Sequence, residues 1–169
     1  MEVIAQALGL LGVLFTILTY QMNTNKKVLF MLGISAVCFC LNYLLLGAYP
    51  GAVLNAIAIL RNVIFANRDK KYLSGYHVPI LLALLMALGG ALTWQGPASL
   101  LVIVALILNT LALGMGKPML LRWSILITSP IVLCYNCIVF TIGGILNECL
   151  AIGSSIVGIM RYRSSERNG

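Results

Sequence analysis

Residues 28–46 read VLFMLGISAVCFCLNYLLL, nineteen positions without a charge. A helix needs about 20 apolar residues to cross the hydrocarbon core of a bilayer. The apolar positions run continuously instead of alternating, and the run is too long for a barrel strand, so a membrane helix is the expected structure. Read outward from this segment, the pattern recurs over 3–20, 52–66, 78–94, 98–113, 119–140 and 142–160, making seven spans. The breaks carry turn chemistry: QMNTNKK (21–27), GAYPG (47–51), NRDKK (67–71), QGP (95–97), GMGKP (114–118) and TIGG (141–144). Pro79, Pro97 and Pro118 fall where helices begin, positions that tolerate a missing N–H.

Composition agrees with that reading. Of 169 residues, 61% are apolar and 9% charged, and the mean hydropathy is +1.02; soluble domains have about 45–50% apolar and 25% charged residues. These values exclude a soluble globular domain, a disordered chain, a nucleic-acid-binding module and a secreted disulfide scaffold. Seven spans of about 20 residues use roughly 140 positions, which leaves turns and a short tail. The first span opens Met1-Glu2 with no basic leader and no Ala-x-Ala site, so it reads as a retained span.

Lys26, Lys27, Arg68, Lys70, Lys71, Lys117, Arg122, Arg161, Arg163 and Arg167 all follow odd-numbered spans or enter even-numbered ones. Cytoplasmic loops carry the excess of Lys and Arg, so the amino terminus is expected outside and the carboxyl terminus in the cytoplasm. Orientation accounts for most of the +7 net charge. Attraction of 68–71 and the tail to anionic lipid is the other reading of the same residues.

The chain also repeats itself. Gly51-Ala-Val-Leu-Asn55 opens span three and Gly143-Gly-Ile-Leu-Asn147 opens span seven, 92 residues later, and the same offset pairs Tyr43 with Tyr135. A duplicated triplet with an unpaired span between the copies gives a parallel repeat, an arrangement used by transporters with sites at the repeat interface. The expected fold is therefore an all-α membrane protein of seven transmembrane helices, as two parallel three-helix bundles joined by a linker helix (3+1+3). Residues 1–71 form the first bundle, 72–96 the linker helix, 97–163 the second bundle and 164–169 a cytoplasmic tail.

The stretches Leu44-Leu-Leu-Gly-Ala-Tyr-Pro-Gly-Ala-Val-Leu-Asn55, Arg61-Asn62, and Ile142-Gly-Gly-Ile-Leu-Asn-Glu148 running to Arg161-Tyr-Arg163 resemble the YgjV-type bacterial inner membrane proteins, over nearly the whole chain. That family is remotely similar to SWEET sugar transporters, PQ-loop proteins and KDEL receptors, and the resemblance implies the same 3+1+3 architecture in the bacterial cytoplasmic membrane. It puts Asn55 and Asn147 where SWEET-type proteins carry paired asparagines beside sugar, and Tyr20-Gln21 where PQ-loop relatives carry Pro-Gln. The chain departs from the pattern at Tyr20, at Asn109-Thr110-Leu-Ala-Leu113, which lacks a matching Gln, and in having only Pro130 deep in a span. A proline-hinged motion is not implied.

Arg61 and Glu148 are ionisable residues well inside their spans. Each costs about 2.5–3.5 kcal/mol on insertion scales and needs a partner or a wet cavity. An intramembrane pair between them is one reading. Snorkelling of Arg61 and a protonated or interfacial Glu148 is the other. Asn55 and Asn62 share a helical face, as do Asn147 and Ser154; the two faces would line a solute cavity or join helices by hydrogen bonds of about 0.6–2 kcal/mol each. Asn42, Asn109, Tyr135, Asn136 and Ser155 are read as such interhelical links. Cys38, Cys40, Cys134, Cys137 and Cys149 are read as small apolar fillers, and His77 is the sole histidine, so no metal or cofactor is expected.

Four acids and one histidine scattered over both faces do not assemble a catalytic constellation. Enzymatic activity is not expected. The partners expected are membrane lipid and an unidentified small polar solute, with no nucleic acid. The function expected is a carrier with a central site at Asn55, Asn147, Asn62 and Ser154, beside the charges Arg61 and Glu148. The alternative is a non-transporting receptor or structural partner of other membrane components.

Overall fold

A computed structural model describes residues 1–167 except Tyr20, Lys71, Tyr72 and Ser74, and leaves aside the side chains of Arg163, Ser165, Glu166 and Arg167. Tyr20 of the Tyr20-Gln21 pair, Lys71, and the side chains of Arg163 and Arg167 thus lie outside the described residues. The described chain forms seven helices: α1 (Glu2–Thr19), α2 (Asn25–Leu45), α3 (Tyr49–Ala66), α4 (His77–Leu92), α5 (Ala98–Gly114), α6 (Pro118–Ile138) and α7 (Ile142–Arg167). Each expected span coincides with one of them. α1, α2, α3, α6 and α7 are long and apolar enough to cross a membrane; α4 and α5 are apolar helices of 16 and 17 residues. α7 continues through most of the expected tail, and its 26 residues extend ~39 Å at ~1.5 Å per residue.

The turns show why the chain folds back so tightly. Gly47 (φ 71°) and Gly116 (φ 65°) occupy the left-handed region after α2 and α5, which glycine enters without the Cβ clash. Pro50 and Pro118 sit in the first turns of α3 and α6, where no intrahelical N–H is lost. Phe140 takes the same left-handed role after α6, with φ 55°.

α2 packs between α1 and α3, and α6 between α5 and α7. Across the molecule α1 meets α7, α3 meets α5, and α4 lies against α3 and α5. Asn25 and Pro118, which open α2 and α6, are 93 residues apart, as are Tyr49 and Ile142, which open α3 and α7. The helix boundaries therefore recur at nearly the offset of the sequence repeat. The core is built from Phe39, Tyr43, Leu54, Met86, Val102 and Tyr135. Leu14, Leu84, Leu88 and Ile127 are exposed on the outside, as lipid-facing positions should be.

Candidate functional site

The two halves meet at a pair of tyrosines. Tyr43 of α2 and Tyr135 of α6, equivalent in the repeat, are buried with ring centroids 6.0 Å apart. The Tyr43 hydroxyl donates to Asn136 Oδ1 (2.6 Å), and the Tyr135 hydroxyl accepts the N–H of Gly51 (3.2 Å). The first glycine of each pentad marks a close approach, Gly51 to the tyrosines and Gly143 to α1. A Cβ on Gly51 would lie 2.9 Å from the Tyr43 ring, and one on Gly143 would collide with the backbone of Gly9 in α1.

One turn further along each helix, Asn55 and Asn147 face a common cavity of about 120 Å³, together with Glu148. Phe39, Tyr43, Val102, Leu106 and Val132 form its walls. Asn55 and Glu148 each lie six residues into their helix, so the cavity sits ~9 Å from the helix starts. Asn55 Nδ2 donates to the Gly51 carbonyl (2.9 Å) and Asn147 Nδ2 to Glu148 Oε1 (3.1 Å). Asn147 Oδ1 is buried with no partner. A buried amide oxygen without a hydrogen bond costs about 1–3 kcal/mol, so this wall retains an unused acceptor. The space exceeds what one water requires, yet is below the ~300 Å³ typical of small-molecule pockets.

The other site residues lie deeper. Arg61 donates from Nη1 to Thr110 Oγ1 (3.0 Å) and from Nε and Nη2 to Asn62 Oδ1 (3.3 and 3.2 Å). Thr110 in turn donates to Met86 Sδ (3.2 Å). Arg61 thereby links α3 to α5 and α4, and it is not paired with Glu148. The backbone offset of about five residues between the two charges admitted a pair, but neutral partners lie closer to each. Asn62 spends its Oδ1 on Arg61 and does not line the cavity of Asn55 and Asn147. Ser154 donates to Ala151 O (3.0 Å) and borders a second space.

That second space is a chamber of about 1250 Å³ at the opposite end of the bundle, where α1, α2, α3, α5, α6 and α7 converge. Ser154, Ser155, Arg68, Lys117, Arg122 and Arg161 contribute its polar lining. Spacing along the chain marked these basic residues only as signs of orientation; nothing in it brought them to one chamber.

The end bearing Met1 is instead closed. Gln6 donates from Nε2 to Phe140 O (2.6 Å) while its Oε1 accepts the N–H of Ile142 (2.9 Å). Gln95 does the same to the other hairpin, donating to Gly47 O (2.9 Å) and accepting from the N–H of Tyr49 (2.9 Å). One glutamine thus clasps the α6–α7 turn and another the α2–α3 turn. Sequence reading missed both, since glutamines at span ends have no distinguishing pattern. The interhelical links at Asn42, Asn109 and Asn136 are present: Asn42 bonds Ala5 O (2.6 Å) and Thr141 Oγ1 (2.7 Å), and Asn109 Oδ1 accepts from Ser124 and Thr128.

Apolar helices that keep their polar groups inside, around a central cavity and a larger chamber, define a multi-pass integral membrane protein. Over residues 3–166 the chain matches the bacterial inner membrane protein family Imp-YgjV, and it belongs to that family. It is thus a multi-pass protein of the bacterial inner membrane. No curated protein and no solved structure matches it significantly, so the expected remote similarity to SWEET and PQ-loop proteins gains no support there.

Proposed function

We propose that this protein is a non-enzymatic carrier for a small polar solute, with a central site between two homologous helix triplets in a 3+1+3 arrangement. The observation that carries the reading is the convergence of Asn55 and Asn147 on one cavity. They occupy equal places in a 92-residue repeat, and one of them keeps a buried acceptor free. Asn42 and Asn136, by contrast, lie outside the cavity lining and tie helices together through Ala5, Thr141 and Tyr43. The basic face is cytoplasmic in this reading, so the chamber opens inward and the glutamine-clasped face is the closed outer gate. Transport then requires the chamber to narrow as the clasps release, so that the Asn55/Asn147 level is reached first from one face and then from the other.

The test is a thermal-stability screen of the purified protein in detergent against a broad panel of small metabolites, beside Asn55→Ala and Asn147→Ala. A solute at 100 times its Kd stabilises by about 2.7 kcal/mol. The expected result is a hit lost in both variants. A hit that survives both moves the site elsewhere, and a folded protein with no hit favours a receptor or structural partner.

A further inference from the structure

The chamber gathers four cationic side chains, Arg68, Lys117, Arg122 and Arg161, at the junction of the first and last three helices, with no acidic residue in its lining. The chain has four acids. Glu2 lies at the far end of α1, Asp69 is taken by Lys26, Glu148 lines the inner cavity, and the side chain of Glu166 is outside the described residues. The chamber cations therefore have no carboxylate partner among the described residues. Orientation in the membrane asks only that basic residues lie near one surface; it does not ask that they turn inward. Two of these do. Arg68 Nε is buried without a hydrogen-bond acceptor, its guanidinium held over the Phe65 ring at 4.9 Å. Arg122 packs against α7 so closely that a Cβ on Gly158 would collide with its guanidinium. The hydroxyl-bearing Ser154 and Ser155 border the same space, and Ser154 stands seven residues from Asn147, ~10 Å along α7.

Guanidinium groups with unused donors match the paired oxygens of phosphate and carboxylate. From this we infer that the chamber binds an oxyanion, a phosphate- or carboxylate-bearing solute, with Arg122 and Arg68 as its principal donors. Calling that solute the cargo rests on the carrier reading above; the oxyanion site itself does not. An anionic lipid headgroup offers the same chemistry, so the test separates the two sources.

The probe is inorganic phosphate, titrated at constant ionic strength against sodium chloride, with the protein in nanodiscs of phosphatidylcholine alone or with added phosphatidylglycerol. Thermal unfolding reads binding. Phosphate is expected to raise the midpoint beyond chloride in phosphatidylcholine discs, and Arg122→Gln to weaken its apparent affinity about ten-fold, the loss of one charge-assisted hydrogen bond. Gly158→Ala keeps every charge but displaces the Arg122 guanidinium, and should weaken phosphate similarly. Lys27→Gln removes an exposed cation outside the chamber and should change nothing. Equal phosphate and chloride effects, or equal losses in Lys27→Gln and Gly158→Ala, would overturn the site in favour of diffuse surface charge. A shift produced by phosphatidylglycerol and not by phosphate would overturn it in favour of lipid. Phosphate binding that requires Arg122, without uptake of labelled phosphate or carboxylates into proteoliposomes, would leave the site standing and remove the carrier reading.

Discussion

Asn147 holds one donor on Glu148 and one acceptor on nothing, an arrangement that costs stability in the empty protein. Asn147→Leu removes the orphan acceptor, a gain of about 1–3 kcal/mol, and also the bond to Glu148, a loss of similar size, so the unfolding midpoint is expected to change little while the response to the solute found in the screen is abolished. Differential scanning fluorimetry with and without that solute checks both halves, and a lowered midpoint with the response intact would contradict the role. The glycines give a second residue-scale test. Gly143→Ala meets the Gly9 backbone, which cannot yield as a side chain can, whereas Gly33→Ala meets nothing within 4 Å. Overpacking costs about 1–3 kcal/mol or more, so folded yield should fall sharply for the first and hold for the second. At this scale the Asn55/Asn147 pair was legible because a repeat marks it. The partners of Arg61 were not, because Thr110 comes from a helix whose rotation no pentad specifies.

Between helices, the clasps at Gln6 and Gln95 each replace two water contacts of a tight turn with two side-chain bonds. At about 0.5–1.5 kcal/mol per bond, Gln6→Ala and Gln95→Ala should each lower stability by roughly 1–3 kcal/mol. Their effects should add in the double variant, since separate hairpins are involved; chemical denaturation of the three proteins measures this. The α6–α7 turn carries a further cost in Phe140, whose side chain is 80% exposed yet whose backbone is left-handed. A non-glycine residue there costs about 1–2 kcal/mol, so Phe140→Gly should stabilise that hairpin, as hydrogen exchange of Thr141 and Ile142 would register. Spans and turns were legible at this scale because unbroken apolar runs between Gly, Pro and Asn admit little else in lipid. The clasps were not, because a lone glutamine near a span end looks like an interfacial residue.

Across the whole molecule, the seven helices followed from hydropathy alone, and the recurrence of helix starts from Asn25 to Pro118 and from Tyr49 to Ile142 matches the pentad offset. The chamber was hidden because Arg68, Lys117, Arg122 and Arg161 come from separate elements whose common destination depends on packing. With the chamber open at one end and the glutamines closing the other, the central claim is that the two ends move in opposition about the Asn55/Asn147 cavity. Spin-label distances in nanodiscs test it directly, with one pair at Tyr49 and Phe140 across the clasped face and another at Lys27 and Met160 across the chamber. Gln6→Ala with Gln95→Ala is expected to lengthen the first distance and shorten the second. A single unchanged distance at both ends, in a folded double variant, would contradict it.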